Sequence, residues 1–464
     1  MARILIADPD PTLSHELSLL LERFQDGVLW VPHAGDAAAQ LAAGTVDLLI
    51  MDERLIDPSR SGVFGGAFAR GPVPIVLVSQ ALPLDRLIGL YKQGISYVVF
   101  KPVHPREMLS CVHALLRHQQ RIVCLGGGTG LYTLLLGLKR LPGAHLTSIV
   151  GMSDDGGSSG RIREAFGVLP PGDVRRSLVA LSTAPALMNE LIQYRFEGGE
   201  GLKDHNLGNL LLTAMANLKG SMAEAVRAMS DILNIQGLVL PVTTSMSTLV
   251  ARFADGTVVR GEHRIDVPEG RNPALRIEEL RLEPSAEANP SALAALLAAD
   301  LITIGPGDLF TSIVATFVVQ GIRDAVCASK ARKVYLCNLM TKPGETSGFT
   351  VADHIREIVR YLGRDVLETV LVSSGVLPPE AIDLYAKRAQ APVRLDHPEV
   401  LRSVTKAAIL VRDLGSTTDL VRHDSTKLAF EIARLLEGPS KPSSGPHAKR
   451  ATPTRSQTDR ETPA

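Results

Sequence analysis

Apolar residues in this chain gather in short runs that stop at polar or glycine-rich turns, and between the runs they recur at helical spacing. In the first quarter the runs Ile4–Ala7, 46–51, 75–78 and Tyr97–Phe100 read as buried parallel strands, with helical patterns at 12–24, 35–43, 84–93 and 106–118. Each run ends in a polar residue: Asp8, Asp52, Ser79 and Lys101. From Arg121 the alternation continues. A strand reaches the turn Gly126-Gly-Gly-Thr-Gly130, a helical stretch runs to Leu141, and the apolar run 145–152 ends in Ser153-Asp-Asp-Gly-Gly-Ser-Ser-Gly160. Further helices are predicted at 174–181 with Asp173 as the cap, after Asp204-His-Asn206 as far as Leu218, and at 222–233. The segments 248–253 and 257–264 alternate with period two about Asp255-Gly256, a hairpin signal. A helix at 292–299, a strand ending in Gly305-Pro-Gly-Asp308, a helix through Val319 and strands at 333–340 and 367–372 complete the pattern. The expected fold class is α/β: a flavodoxin-like unit, then a Rossmann-like three-layer unit with an inserted β-hairpin. The expected domains are 1–118 and 121–437, joined by a short connection. After Gly438 the residues are Pro, Ser, Thr, Lys and Arg with almost no large apolar side chain, so 438–464 is expected to be a disordered tail.

Composition narrows the partner. The 464 residues carry 49 basic and 49 acidic side chains, so no bulk field favours nucleic acid or an anionic membrane, and a small molecule is the expected ligand. The first residues meet Asp8 before a long apolar segment develops, which argues against a signal peptide or membrane insertion. Four cysteines, Cys111, Cys124, Cys327 and Cys337, lack metal or disulfide spacing and fit a reducing cytoplasm.

The glycine turns carry the candidate chemistry. Gly126, Gly127, Gly128, Thr129 and Gly130 close a strand and open a helix, where backbone N–H groups face an anion. A dinucleotide fingerprint counted from Gly126 requires glycine where Leu131 stands, and the chain has no Gly-Lys-Ser/Thr of a Walker loop. In the second turn, Asp154 and Asp155 supply hard oxygens, while Gly156, Gly157, Ser158, Ser159 and Arg161 supply donors, a set suited to a diphosphate bridged by Mg²⁺. Adjacent residues point in opposite directions, and Asp155, nearer the turn, is the expected metal ligand. Asp173 with Arg175, His205 with Asn206 and Asn209, and Gly305, Gly307 and Asp308 are weaker candidates. Each has a plain alternative as a cap, a structural histidine or an αβ turn. No tightly bound organic cofactor is expected.

Two resemblances organise these residues. The strand-end set Asp8, Asp52, Ser79 and Lys101 resembles a bacterial response-regulator receiver domain. This implies Asp52 as phosphoacceptor, with the other three in support and a signalling kinase as partner. Pro9 stands where that family has the second acid of its Mg²⁺ pair, and Asp10 is the available substitute. Gly126-Gly-Gly-Thr-Gly-Leu131, Asp154-Asp-Gly-Gly-Ser-Ser-Gly160, Pro171-Gly-Asp-Val-Arg175, Leu207-Gly-Asn-Leu210, Ile304-Gly-Pro-Gly307 and Lys333-Val-Tyr-Leu-Cys-Asn338, in that order, resemble the gluconeogenesis factor family (YvcK type). That family is related to 2-phospho-L-lactate transferase (CofD type). Many relatives carry Ser then Tyr where this chain has Asp308 and Phe310, leaving Phe310 to stack on a ligand. The resemblance implies a nucleoside-diphosphate ligand, a UDP-sugar, and a regulatory role in cell-wall morphogenesis and gluconeogenic growth. The alternative is a transferase acting on a nucleoside-diphosphate carrier, and a homodimer is left open.

Overall fold

The computed structural model describes residues 2–22, 27–56, 73–374, 379–416 and 421–437. The expected tail, 438–464, and the end of the helix predicted at 12–24 lie outside the described residues.

Five parallel strands, β1 (Ile4–Ala7), β2 (Val28–Val31), β3 (Leu48–Asp52), β4 (Ile75–Ser79) and β5 (Tyr97–Phe100), form the first sheet in the order β2-β1-β3-β4-β5. This is the order of the flavodoxin-like doubly wound fold, which sets its sites at strand carboxyl ends. The interior strands β1, β3 and β4 are buried throughout, as their unbroken apolar runs require. β2 was not legible as a strand. It lies at the sheet edge and leaves Leu29 and Trp30 exposed, so its apolar residues carry no burial pattern.

The second sheet has seven parallel strands: β6 (Gln120–Gly126), β7 (Ala144–Val150), β8 (Leu238–Pro241), β12 (Leu301–Ile304), β13 (Arg332–Leu336), β14 (Thr369–Ser373) and β15 (Ala408–Arg412). Their order is β15-β14-β13-β12-β6-β7-β8. The winding reverses between β6 and β12, and the carboxyl ends at such a switch point frame a crevice. Three antiparallel strands, β9 (Thr248–Phe253), β10 (Val258–Arg260) and β11 (Ile277–Glu283), make a separate small sheet. β10 is shorter than the period-two segment 257–264, because Gly261, at φ +99°, turns the chain into the helix Glu262–Asp266.

The two units share an apolar core. Helix Pro290–Ala298 is buried from Ser291 to Ala298, as its nearly all-round apolar sequence demands, and Tyr91 Oη donates to Ala294 O at 2.9 Å across the seam. At the amino ends of the core strands, Arg121 pairs with Asp300 at 2.9 Å and donates to Ser96 O at 3.0 Å. Arg106 pairs with Asp231, and Arg227 with the buried Glu107. The seam therefore lies at the end of the core sheet away from the glycine turns. Among the described residues no helix is long and apolar enough to cross a membrane.

Candidate functional site

The switch-point crevice is a two-lobed cleft. The inner lobe, about 360 Å³, is lined by Gly128, Asp154, Gly156 to Ser159, Asp173, Arg175, Arg176, Arg195, Asn209, Glu262 and Asp266 among others. The outer lobe, about 440 Å³, is lined by Gly127 to Gly130, Pro306, Gly307, Asn338 to Lys342, Arg388, Gln390 and His423. Gly128, Thr129, Asp308 and Ser312 belong to both. Two helix amino ends meet there, Gly128–Leu138 and Gly157–Phe166, so unsatisfied N–H groups and two dipoles converge. The first and third glycine turns press together. A β-carbon on Gly130 would lie 2.4 Å from Pro306 O, so no larger residue fits without moving backbone. Gly128 has φ +65°, a left-handed conformation that favours glycine.

Several predicted residues take other tasks. Asp155 accepts His263 N–H at 2.7 Å and Glu262 N–H at 3.1 Å, capping helix Glu262–Asp266, and does not line the cleft. Its neighbour Asp154 faces the inner lobe, so the alternation holds with the two roles exchanged. Asp173 is not the helix cap. Helix Gly172–Leu181 starts earlier with Pro171 at that position, which leaves Asp173 to accept Gly128 N–H at 2.9 Å and pair with Arg176 at 2.5 Å. Gly128 thus turns its N–H to a carboxylate of the chain itself. His205 hydrogen-bonds Ser158 Oγ at 3.2 Å and lines neither lobe. Asn206 caps helix Leu207–Lys219, and Asn209 accepts Arg175 Nε–H at 2.9 Å. Arg161 is exposed and donates to Lys203 O. Phe310 is fully buried, edge-on to Phe349 and Tyr361, so it is core and presents no face to a ligand.

Residues that carried no sequence signal complete the site. The predicted strand 257–264 gives way to the helix Glu262–Asp266, which brings Glu262 and Asp266 into the cleft, and from the turn after β13 come Lys342, in the outer lobe, and the buried Glu345 beside it. The acids perturb one another. Burial, then the Asp154 charge, pushes the Glu262 carboxyl up to about 10. Burial and then Asp173 raise Asp154. Burial, with Arg176 next, brings Arg175 down to about 10. Ligand oxygens of Asp266, Asp308 and Glu345 lie within 4.8 Å of one another. This trio already holds a cation: Lys342 bridges Asp308, at 2.7 Å, and Asp266, and although burial opposes its charge the carboxylates raise its ammonium pKa. Glu345 accepts Phe310 N–H and Thr311 Oγ1–H at 2.9 and 2.8 Å, while burial pushes it up to about 8. Among the described residues no lysine stands between Asp154 and Asp173, and only Asp173 has an ion pair, with Arg176. In the outer lobe Asn338 Oδ1 and His423 Nε2 are buried without a partner among the described residues.

The strand ends of the N-terminal unit come together differently. Asp8 and Asp52 are both buried, and the Arg54 guanidinium joins them, 3.0 Å from Asp8 Oδ1 and 2.7 Å from Asp52 Oδ1. Lys101 Nζ lies 2.6 Å from Asp52 Oδ2. Burial would raise Asp52, but hydrogen bonds from Arg54 and Lys101 outweigh it and lower its pKa. Ser79 Oγ donates to Glu53 at 2.7 Å. Asp10, the substitute acid, caps the first helix through Thr12 N–H at 2.9 Å.

Comparison with known proteins places the core. A family model described as 2-phospho-L-lactate transferase CofD matches residues 122–413. The gluconeogenesis factor of Bacillus subtilis is 41% identical over 318 residues, 68% of this chain and 98% of that protein. That of Halalkalibacterium halodurans is 40% identical over 328 residues, 70% and 98% of the two chains. A crystal structure of a Bacillus halodurans protein superposes with a TM-score of 0.65 at 39% identity, covering 68% of this chain and 99% of that one. With the glycine turns, the switch-point cleft and these relatives in agreement, the chain belongs to the gluconeogenesis factor family of CofD-like proteins.

Proposed function

We propose that the cleft binds a nucleoside diphosphate, a UDP-sugar, and that the protein acts as a regulator of cell-wall morphogenesis and gluconeogenic growth in the cytoplasm. The observation that carries this reading is the inner lobe, where two helix amino ends and Arg175, Arg176 and Arg195 stand beside Asp154 and Asp173. Arginines and backbone N–H groups suit phosphate oxygens, and two neighbouring carboxylates suit the metal that bridges them. Mg²⁺ fits this donor set, since Asp154 is raised partly by Asp173 and an added cation relieves that repulsion. Asp154 and Asp173 would hold it, and it would neutralise diphosphate charge. The unpartnered Asn338 and His423 atoms offer hydrogen bonds to a base in the outer lobe.

Regulation is preferred to transfer because His205, the base candidate supplied by the motifs, is engaged with Ser158 and lines neither lobe. Relatives at 40% identity and above also carry the name gluconeogenesis factor. The transferase reading draws on the matching family model. Isothermal titration of UDP-N-acetylglucosamine and GDP, each with and without Mg²⁺, tests the ligand. Saturable Mg²⁺-dependent binding of the uridine ligand is expected, and tighter binding of GDP with acceptor-dependent phospholactyl transfer would select the alternative. The N-terminal unit is read as a receiver-like module in whose acidic site Arg54 joins Asp8 to Asp52 and Lys101 pairs with Asp52.

A further inference from the structure

A second cavity, about 430 Å³, opens at the seam between the two units. Helix Pro105–Leu116 contributes Ser110 and His113, the connection contributes Arg117, and the core contributes Lys139, Arg140 and His145. No aspartate or glutamate is among its lining residues. The other seam arginines, Arg106, Arg121 and Arg227, each pair with a carboxylate. Arg117 and Arg140 are exposed, and neither guanidinium has an ion-pair or hydrogen-bond partner among the described residues. Among the described residues Lys139 donates only to the Ser182 carbonyl, at 3.0 Å. The groups around the cavity feel one another's charge. After burial, the leading cause, Arg117 lowers the His113 pKa and Arg140 lowers that of Lys139. Burial, then Arg121 and His113, brings His145 down to about 4, and Ser110 Oγ lies 2.6 Å from its Nε2 across the seam.

Two guanidiniums without ion-pair partners among the described residues, Arg117 and Arg140, with Lys139 beside them and no acid in the lining, make a concave positive site that a bound anion relieves. Its volume suits a metabolite-sized ligand, and its arginines suit the planar oxygens of phosphate or carboxylate. We propose that this seam cavity binds a small polyanion, bearing phosphate or carboxylate groups, which clasps the N-terminal unit to the core. Both units contribute lining groups, so a ligand here stabilises their packing and makes the seam sensitive to its concentration.

The test uses the full chain with inorganic pyrophosphate and, separately, citrate, read by calorimetry and by hydrogen exchange along 105–116 and 139–146. Pyrophosphate also meets the glycine turns, so location is taken from exchange. At least one probe should slow exchange in both seam segments. In Arg117→Glu/Arg140→Glu that protection should disappear, with seam binding weakened about 100-fold. Arg140→Gln, which keeps most of the side chain, should weaken it about tenfold and serves if the double variant misfolds. Protection by pyrophosphate alone assigns phosphate, and protection by citrate alone assigns carboxylate. The proposal is overturned if neither probe protects the seam, or if protection survives the charge changes undiminished.

Discussion

Asp8 and Asp52 sit at strand carboxyl ends in the N-terminal unit, as Asp154 and Asp173 sit beside strand ends in the core, yet their charges are settled differently. In the first site Arg54 joins both carboxylates and Lys101 pairs with Asp52, so Asp52 is held below its ordinary value, while burial raises Asp8, whose Oδ2 has no partner among the described residues. In the cleft Asp154 and Glu262 have raised carboxyl pKa values, because burial and neighbouring acids prevail. A carboxylate held by two cations of its own chain, as Asp52 is, is a finished structural element. Asp154, which pairs with no cation among the described residues, keeps affinity for one brought from outside.

The largest effect should come from removing a cation of the closed site. Lys101→Met leaves the buried Asp52 carboxylate with Arg54 alone and should cost about 3 kcal/mol in urea unfolding. A cost near zero would place this site with the open cleft. Next, Asp154→Asn should weaken Mg²⁺-dependent UDP-N-acetylglucosamine binding about 30-fold, near 2 kcal/mol. Asp155→Asn should instead lower stability by about 1 kcal/mol through the lost helix cap and leave the Mg²⁺ dependence in place. Equal effects of the two substitutions in calorimetry would erase the distinction between them.

A smaller effect should appear with pH. The Glu262 carboxyl is raised from 4.5 to about 10, so between those values the folded protein binds more protons than the unfolded chain. Its contribution to stability is full below about pH 4.5 and is lost as pH rises toward 10. Thermal midpoints of the metal-free protein should therefore fall from pH 6 to pH 9, less steeply in Glu262→Gln, and Mg²⁺ should recover part of the loss at high pH. The smallest expected effect is in the N-terminal site. Acetyl phosphate with Mg²⁺ should add no stoichiometric label by intact mass, because Arg54 bridges Asp8 and Asp52, Lys101 pairs with Asp52 and Asp10 is a helix cap. A full label lost in Asp52→Asn would reopen the signalling role.

The alternation of apolar runs and glycine turns determined two parallel α/β sheets and the strand ends where polar residues collect, since period and turn chemistry are local properties. The order of the motifs from Gly126 to Asn338 also determined the family. The edge strands β2, β8, β11 and β15 were not read from the sequence. Tertiary structure alone decided which of two adjacent acids faces the cleft. Asp155 is claimed by backbone N–H groups of Glu262 and His263, more than a hundred residues onward, and nothing near Asp155 announces them. The same holds for Phe310, drawn into the core by Phe349 and Tyr361, and for Arg54, whose reach to Asp8 depends on β1 and β3 lying side by side. Side-chain direction and charge balance depend on partners distant in sequence, so they are settled only when the sheets have formed.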